Sequence, residues 1–112
     1  MSDQELESIE LSITQATKIL DDAKALERLT TNADFKRIIL EGYFKDEASK
    51  QVLMKAQPGM EGPEMQAAVT KVIDAIGTLR QHFIAINQFG AMAEKSLADD
   101  QVTREELLAG DA

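Results

Sequence analysis

The feature that most restricts what this chain can fold into is a run of residues that recurs in alternating steps of four and three: Met65, Val69, Val72, Ile76, Leu79, Phe83, Ile86, Gly90, Ala93 and Leu97. Such steps return to the same side of an α-helix once per turn, whereas a strand repeats every second residue. The run therefore predicts a single long helix over about 63–98, with one apolar seam. Pro63 suits its first position, where a missing N–H costs nothing. At 1.5 Å per residue, about 35 residues span roughly 50 Å.

A second seam runs through Leu6, Ile9, Ile13, Ala16, Leu20 and Ala23, and after a slip through Leu26 and Leu29. It predicts a helix over about 4–30, with Ser2 or Asp3 as the N-cap and Glu5 and Glu7 near the favourable end of its dipole. Thr31 and Asp34 have the spacing of a capping box, so a further helix is expected over about 33–56. Its apolar set, which includes Phe35, Ile38, Ile39, Leu40, Tyr43 and Phe44, is broader than one stripe. This segment is expected to be buried on two sides or kinked at Gly42, since glycine costs about 1 kcal/mol relative to alanine inside a helix. Gln57 to Pro63, with two prolines and two glycines, is the one strong breaker.

After Leu97, the run Asp99-Asp100-Gln101 is expected to end the long helix. Thr103 and Glu106 then form a capping box for a short amphipathic segment over 104–109. The fold class expected is all-α: an antiparallel three-helix bundle or helical hairpin with one long heptad-patterned, coiled-coil-like helix and a short C-terminal helical tail. A single helical domain over 1–98 and an acidic tail over 99–112 complete the expectation. If the third helix outruns the other two, part of its seam is left uncovered, which predicts self-association as a homo-oligomer through 65–97.

With 44% apolar and 29% charged residues, the 112-residue chain is well suited to a packed core. Its formal net charge of −8 argues against direct nucleic-acid binding, which needs clustered Lys and Arg. The acids gather at the ends: residues 1–31 hold seven against three bases, and residues 99–112 five against one. Absence of cysteine removes disulfides, thiolate metal sites and thiol nucleophiles, and fits a reducing compartment. The opening MSDQELESIE carries four acids and no base, the reverse of a secretory leader. No apolar run nears the roughly 20 residues of a membrane span, so no membrane contact and a cytoplasmic location are expected.

No constellation of catalytic residues stands out, and neither enzyme activity nor a cofactor or metal is expected. His82, the sole histidine, precedes Phe83 on the long helix, and Leu79 stands where a Glu-x-x-His ligand pair would need its acid. Neighbouring acids such as Asp21 and Asp22 point about 100° apart on a helix and read as solvated charge. Gly59 and Gly62 lack the Lys and Ser/Thr of a phosphate loop. What the sequence offers instead are candidate partner-binding residues. Tyr43 and Phe44 are adjacent aromatics that point different ways. Phe83, Ile86 and Gly90 lie on the long seam, with Gly90 suited to close approach of another backbone or to simple tolerance of a small residue. Leu107 and Leu108 form the apolar side of the last segment, either docking into a groove or belonging to a solubilising tail.

The segments DFKRIILEGYFK (34–45), IDAIGTLRQ (73–81) and DDQVTREEL (99–107), with the turn near Pro58, resemble a group of small all-helical proteins of tailed bacteriophages over about residues 25–108. The resemblance implies a phage origin and a helical fold, and carries no activity or site. The function expected is a non-enzymatic protein-protein interaction module, acting as a virion assembly or accessory structural protein in the host cytoplasm or virion. The alternative is an acidic inhibitor that binds a host enzyme or nucleic-acid-binding protein by mimicking phosphate.

Overall fold

The computed structural model describes residues 2–110, and among them the chain is helical with no strand. Helix α1 is Ser2–Thr31, with Asp3 and Glu5 in its first turn; the capping role expected of the Ser2 side chain lies outside the described residues. Helix α2 occupies 33–54 and is composite, with short α-helical ends at Ala33–Phe35 and Ala48–Met54 and a π-helical centre at Lys36–Glu47. Helix α3 is Pro63–Gly110, 48 residues long. The three-helix expectation therefore holds at the level of elements, with two differences in how those elements begin and end.

The first concerns the cap of α2. Asn32, not Thr31, takes the capping position: its backbone is extended (φ −72°, ψ 127°) and its side-chain oxygen accepts from the N–H of Phe35 at 3.0 Å. The Thr31 hydroxyl instead donates back to the carbonyl of Arg28 at 2.9 Å, closing the last turn of α1. An Asn directly before the first helical residue presents its carbonyl three residues ahead as well as a threonine does, so the register shifts by one.

The second difference is that the expected break at Asp99–Gln101 is absent. α3 continues through it to Gly110, so the segment at 104–109 is the end of the long helix and not a separate tail helix. The residues that looked like cap formers are used inside the helix. The hydroxyl of Thr103 donates to the carbonyl of Asp99 at 3.1 Å, one turn back. Asp100 accepts from the Ser12 hydroxyl at 2.5 Å, a bond that ties α3 to α1.

The contacts divide the chain into two units. In the first, the part of α1 up to Leu26 lies against α3 from Ala85 onward. The pairing is antiparallel, because the partner numbers fall on α3 as they rise on α1: Ser12 bonds Asp100, and Ala23 faces Gly90. The seam is built from small residues, with Ala16, Gly90 and Ala93 buried and Leu26 closing one end. The close-approach reading of Gly90 applies: a Cβ built on it would overlap the Cβ of Ala23. Small residues on both sides let two helices approach until their backbones nearly touch.

The second unit, Glu27–Ile84, joins α2 to the first half of α3. Val69 and Ile76, each 3% exposed, are its most buried residues. Phe83 sits between Phe35 and Phe44, with ring centroids 6.0 and 5.6 Å away, the second pair edge-on. Such geometry favours aromatic pairs beyond the area they bury. The connection at 55–62 turns at Gly59, whose φ of +89° is open to glycine at no steric cost. It is held by Gln66, whose side-chain amide donates to the carbonyls of Lys55 at 3.0 Å and Met60 at 2.6 Å. Gly77 faces open space, so there the tolerance reading of a helical glycine is the one that applies.

Candidate interaction surface

A pair of helices has one seam, and whatever lies to either side of it faces solvent unless something else covers it. In the first unit this leaves large apolar side chains uncovered: Phe89 is 57% exposed, Met92 65% and Ile19 41%. They adjoin. A recess of about 280 Å³ is bounded by Ser12, Gln15, Ile19, Phe89, Met92 and Ser96. A smaller one of about 150 Å³ follows between Ile19, Asp22, Ile86 and Phe89. Toward the other end of the pair a third, of about 390 Å³, lies between Glu5, Ser8, Ile9, Thr103 and Leu107.

These three recesses lie along one flank. On α1 they are lined by residues 4, 5, 8, 9, 12, 15, 16, 19 and 22, and on α3 by 86, 89, 92, 93, 96, 103 and 107, positions that fall on one side of each helix. The flank is thus a shallow groove beside the seam. Its walls are two helices, its middle sets Ile19, Phe89 and Met92 among Ser12, Gln15 and Ser96, and its ends carry the carboxylates Glu5 and Asp22. From Glu5 to Asp22 the helix rises about 25 Å.

The sequence-derived candidates are distributed unevenly over this picture. Ile86 is half-buried and lines the groove, and Leu107 lines its far recess. Leu108, next along the helix, is 52% exposed and lines none of the three. Gly90 is buried against Ala23 within the seam itself. Phe83 belongs to the aromatic cluster of the second unit with Phe44, and Tyr43 lies against Phe44 at 6.0 Å; all three are half-buried. Phe89 and Met92, the most exposed of the large apolar groove residues, fall outside the heptad run from Met65 to Leu97 and so are not part of the seam pattern. The signal that finds them is a second, parallel stripe one position before the seam: Phe89 before Gly90 and Met92 before Ala93. Asp100, expected from sequence to help end the long helix, is half-buried and bonded to Ser12.

Charge follows the same division. Residues 27–84 hold eight acids and eight bases, while the remainder of the chain holds twelve acids and four bases. The formal net charge of −8 therefore belongs to the unit that carries the groove. Among the described residues the single ion pair is Arg37–Asp34 at 3.6 Å on an exposed turn of the other unit. His82 is exposed beside Phe83. Among the described residues no group of three or more His, Asp or Glu is placed to hold a metal ion, and no helix is long and apolar enough to cross a membrane. No protein-family model, curated protein or solved structure matches the chain. The phage resemblance accordingly rests on the sequence segments alone.

Proposed function

We infer that the protein is a non-enzymatic interaction module whose first unit takes a partner's helix along the groove beside its seam. The observation that supports this reading is the contiguous exposure of Ile19, Phe89 and Met92 between two rigid helices. An added helix over these side chains would bury their apolar surface at about 25 cal/mol per Å² and turn a two-helix pair into a three-helix bundle. A single exposed leucine is ordinary on any surface, whereas adjoining large ones on a rigid face mark a binding site. The resemblance of residues 25–108 to phage helical proteins suggests virion assembly as the setting.

The test compares the proteins recovered from the source cells by the wild-type chain and by a Phe89→Gln/Met92→Gln variant. Both side chains are mostly exposed, so the variant retains the fold, which circular dichroism checks. Loss of a partner that the wild type retains is the expected result. Identical recovery by the two chains overturns the reading.

A further inference from the structure

We propose that the partner helix is cationic and amphipathic, with an apolar stripe that seats on Ile19, Phe89 and Met92 and Lys or Arg residues on either side of it. The proposal rests on the interaction reading above and adds the chemistry of the occupant. Three features of the first unit point to it.

The groove has the length of a helix. Its span of about 25 Å matches about 17 residues of α-helix, and large apolar side chains recur along it, at Ile9 and Leu107 in one end recess, Ile19, Phe89 and Met92 in the middle and Ile86 at the other end. Its charge has one dominant sign. Glu5 and Asp22 line the groove, and no Lys or Arg lines any of the three recesses. Just outside the lining, the exposed charged positions are Glu7 and Lys18 on α1 and Lys95, Asp99 and Glu106 on α3. Together with Glu5 and Asp22 in the lining, five acids stand against two lysines.

The third feature bears on a second copy as the occupant. The unit that would supply the pairing face carries twelve acids and four bases, so two copies would bring like charge together on both sides of the apolar contact. Like charges placed opposite one another oppose association, and opposite charges steer it. A cationic amphipathic helix meets both the apolar strip and the acidic rim. An acidic or neutral helix meets only the first.

The experiment uses the full chain and a labelled synthetic helix of about 17 residues, with leucines on one face and lysines on the other, in fluorescence-anisotropy titrations. Two control peptides accompany it: the same composition scrambled to destroy the apolar face, and a Leu/Glu counterpart of the same pattern. The expected result is binding of the Leu/Lys helix that weakens with salt. Phe89→Gln/Met92→Gln is expected to weaken it about tenfold, which corresponds to roughly 1.4 kcal/mol. Asp22→Asn/Asp99→Asn/Glu106→Gln is expected to flatten its salt dependence, and both controls to bind at least about tenfold more weakly. Equal binding of the scrambled peptide, or unchanged binding to the Phe89/Met92 variant, overturns the proposal. So does a wild-type chain that light scattering finds dimeric and that the Phe89/Met92 variant renders monomeric. That last outcome would leave the interaction reading standing with a second copy as occupant. Absence of Leu/Lys binding together with identical partner recovery by wild type and variant would remove both.

Discussion

At Gly90, α1 and α3 approach so closely that one added methyl group would collide with Ala23. Helix propensity and packing make opposite demands at such a position. Alanine is better than glycine within a helix by about 1 kcal/mol, whereas overpacking a tight contact costs about 1–3 kcal/mol. Because the obstructing atom is itself a Cβ on a helix, with no flexible end to swing aside, packing wins. Gly90→Ala is expected to lower stability by about 1 kcal/mol in chemical denaturation. The exchange Ala23→Gly/Gly90→Ala keeps one methyl and one glycine at the crossing and is expected to recover most of that loss. A Gly90→Ala protein more stable than wild type would show that the helices do not meet there.

In α2 the same glycine argument takes a different form. The central turns at Lys36–Glu47 are π-helical, a wider winding in which each N–H pairs with the carbonyl five residues back and which usually occurs as one isolated turn. A Cβ on Gly42 would lie 2.9 Å from the carbonyl oxygen of Arg37, five residues earlier. At this position the winding leaves no room for a Cβ, which accounts for a penalised residue in the middle of a helix. Gly42→Ala is therefore expected to disfavour the wide turns and rotate the residues after them, moving Phe44 relative to Phe83. The chain has one tyrosine and no tryptophan, so the near-ultraviolet dichroism of Tyr43 reports the change directly. The expected outcome is an altered Tyr43 signal and a lower melting temperature. A gain of about 1 kcal/mol with an unchanged signal would instead follow ordinary helix propensity and contradict the π-helical winding.

For the molecule as a whole, charge separates the two units more sharply than length or hydrophobicity does. The first unit folds against its own repulsion, with twelve acids and four bases, and the second is balanced. Added salt screens exposed charges beyond about 8–10 Å at physiological strength, so it should stabilise the first unit and leave the second nearly unchanged. Native-state hydrogen exchange at low and moderate salt distinguishes them. Amides near Ala16 and Ala93 are expected to gain protection with salt, while those near Val69 and Ile76 gain little. A uniform response across all four would show that the charge distribution has no bearing on local stability.

What the sequence determined by itself are the features that one helix can specify alone. Periods of three and four mark the buried sides of α1 and α3, from Leu6 to Leu26 and from Val69 to Leu97, because a residue's direction on its own helix depends only on its number. The Pro63 start and the turn before it follow from backbone chemistry for the same reason. Leu29, Met65 and Val72 belong to the pattern and yet are exposed, Val72 between the buried Val69 and Ile76, since burial depends on where the facing segment lies as well as on the period. The tertiary structure decided whatever needs two segments at once: Ser12 with Asp100, Ala23 with Gly90, Gln66 with the loop carbonyls, and Phe83 between Phe35 and Phe44. It also carried α3 past Asp99, where a local reading of cap residues ends the helix, because bonds to Ser12 and within the helix use those polar groups. The groove at Ile19, Phe89 and Met92 is of this second kind. Each side chain is ordinary in its own helix, and only the antiparallel register of α1 against α3 brings the three together on one uncovered flank.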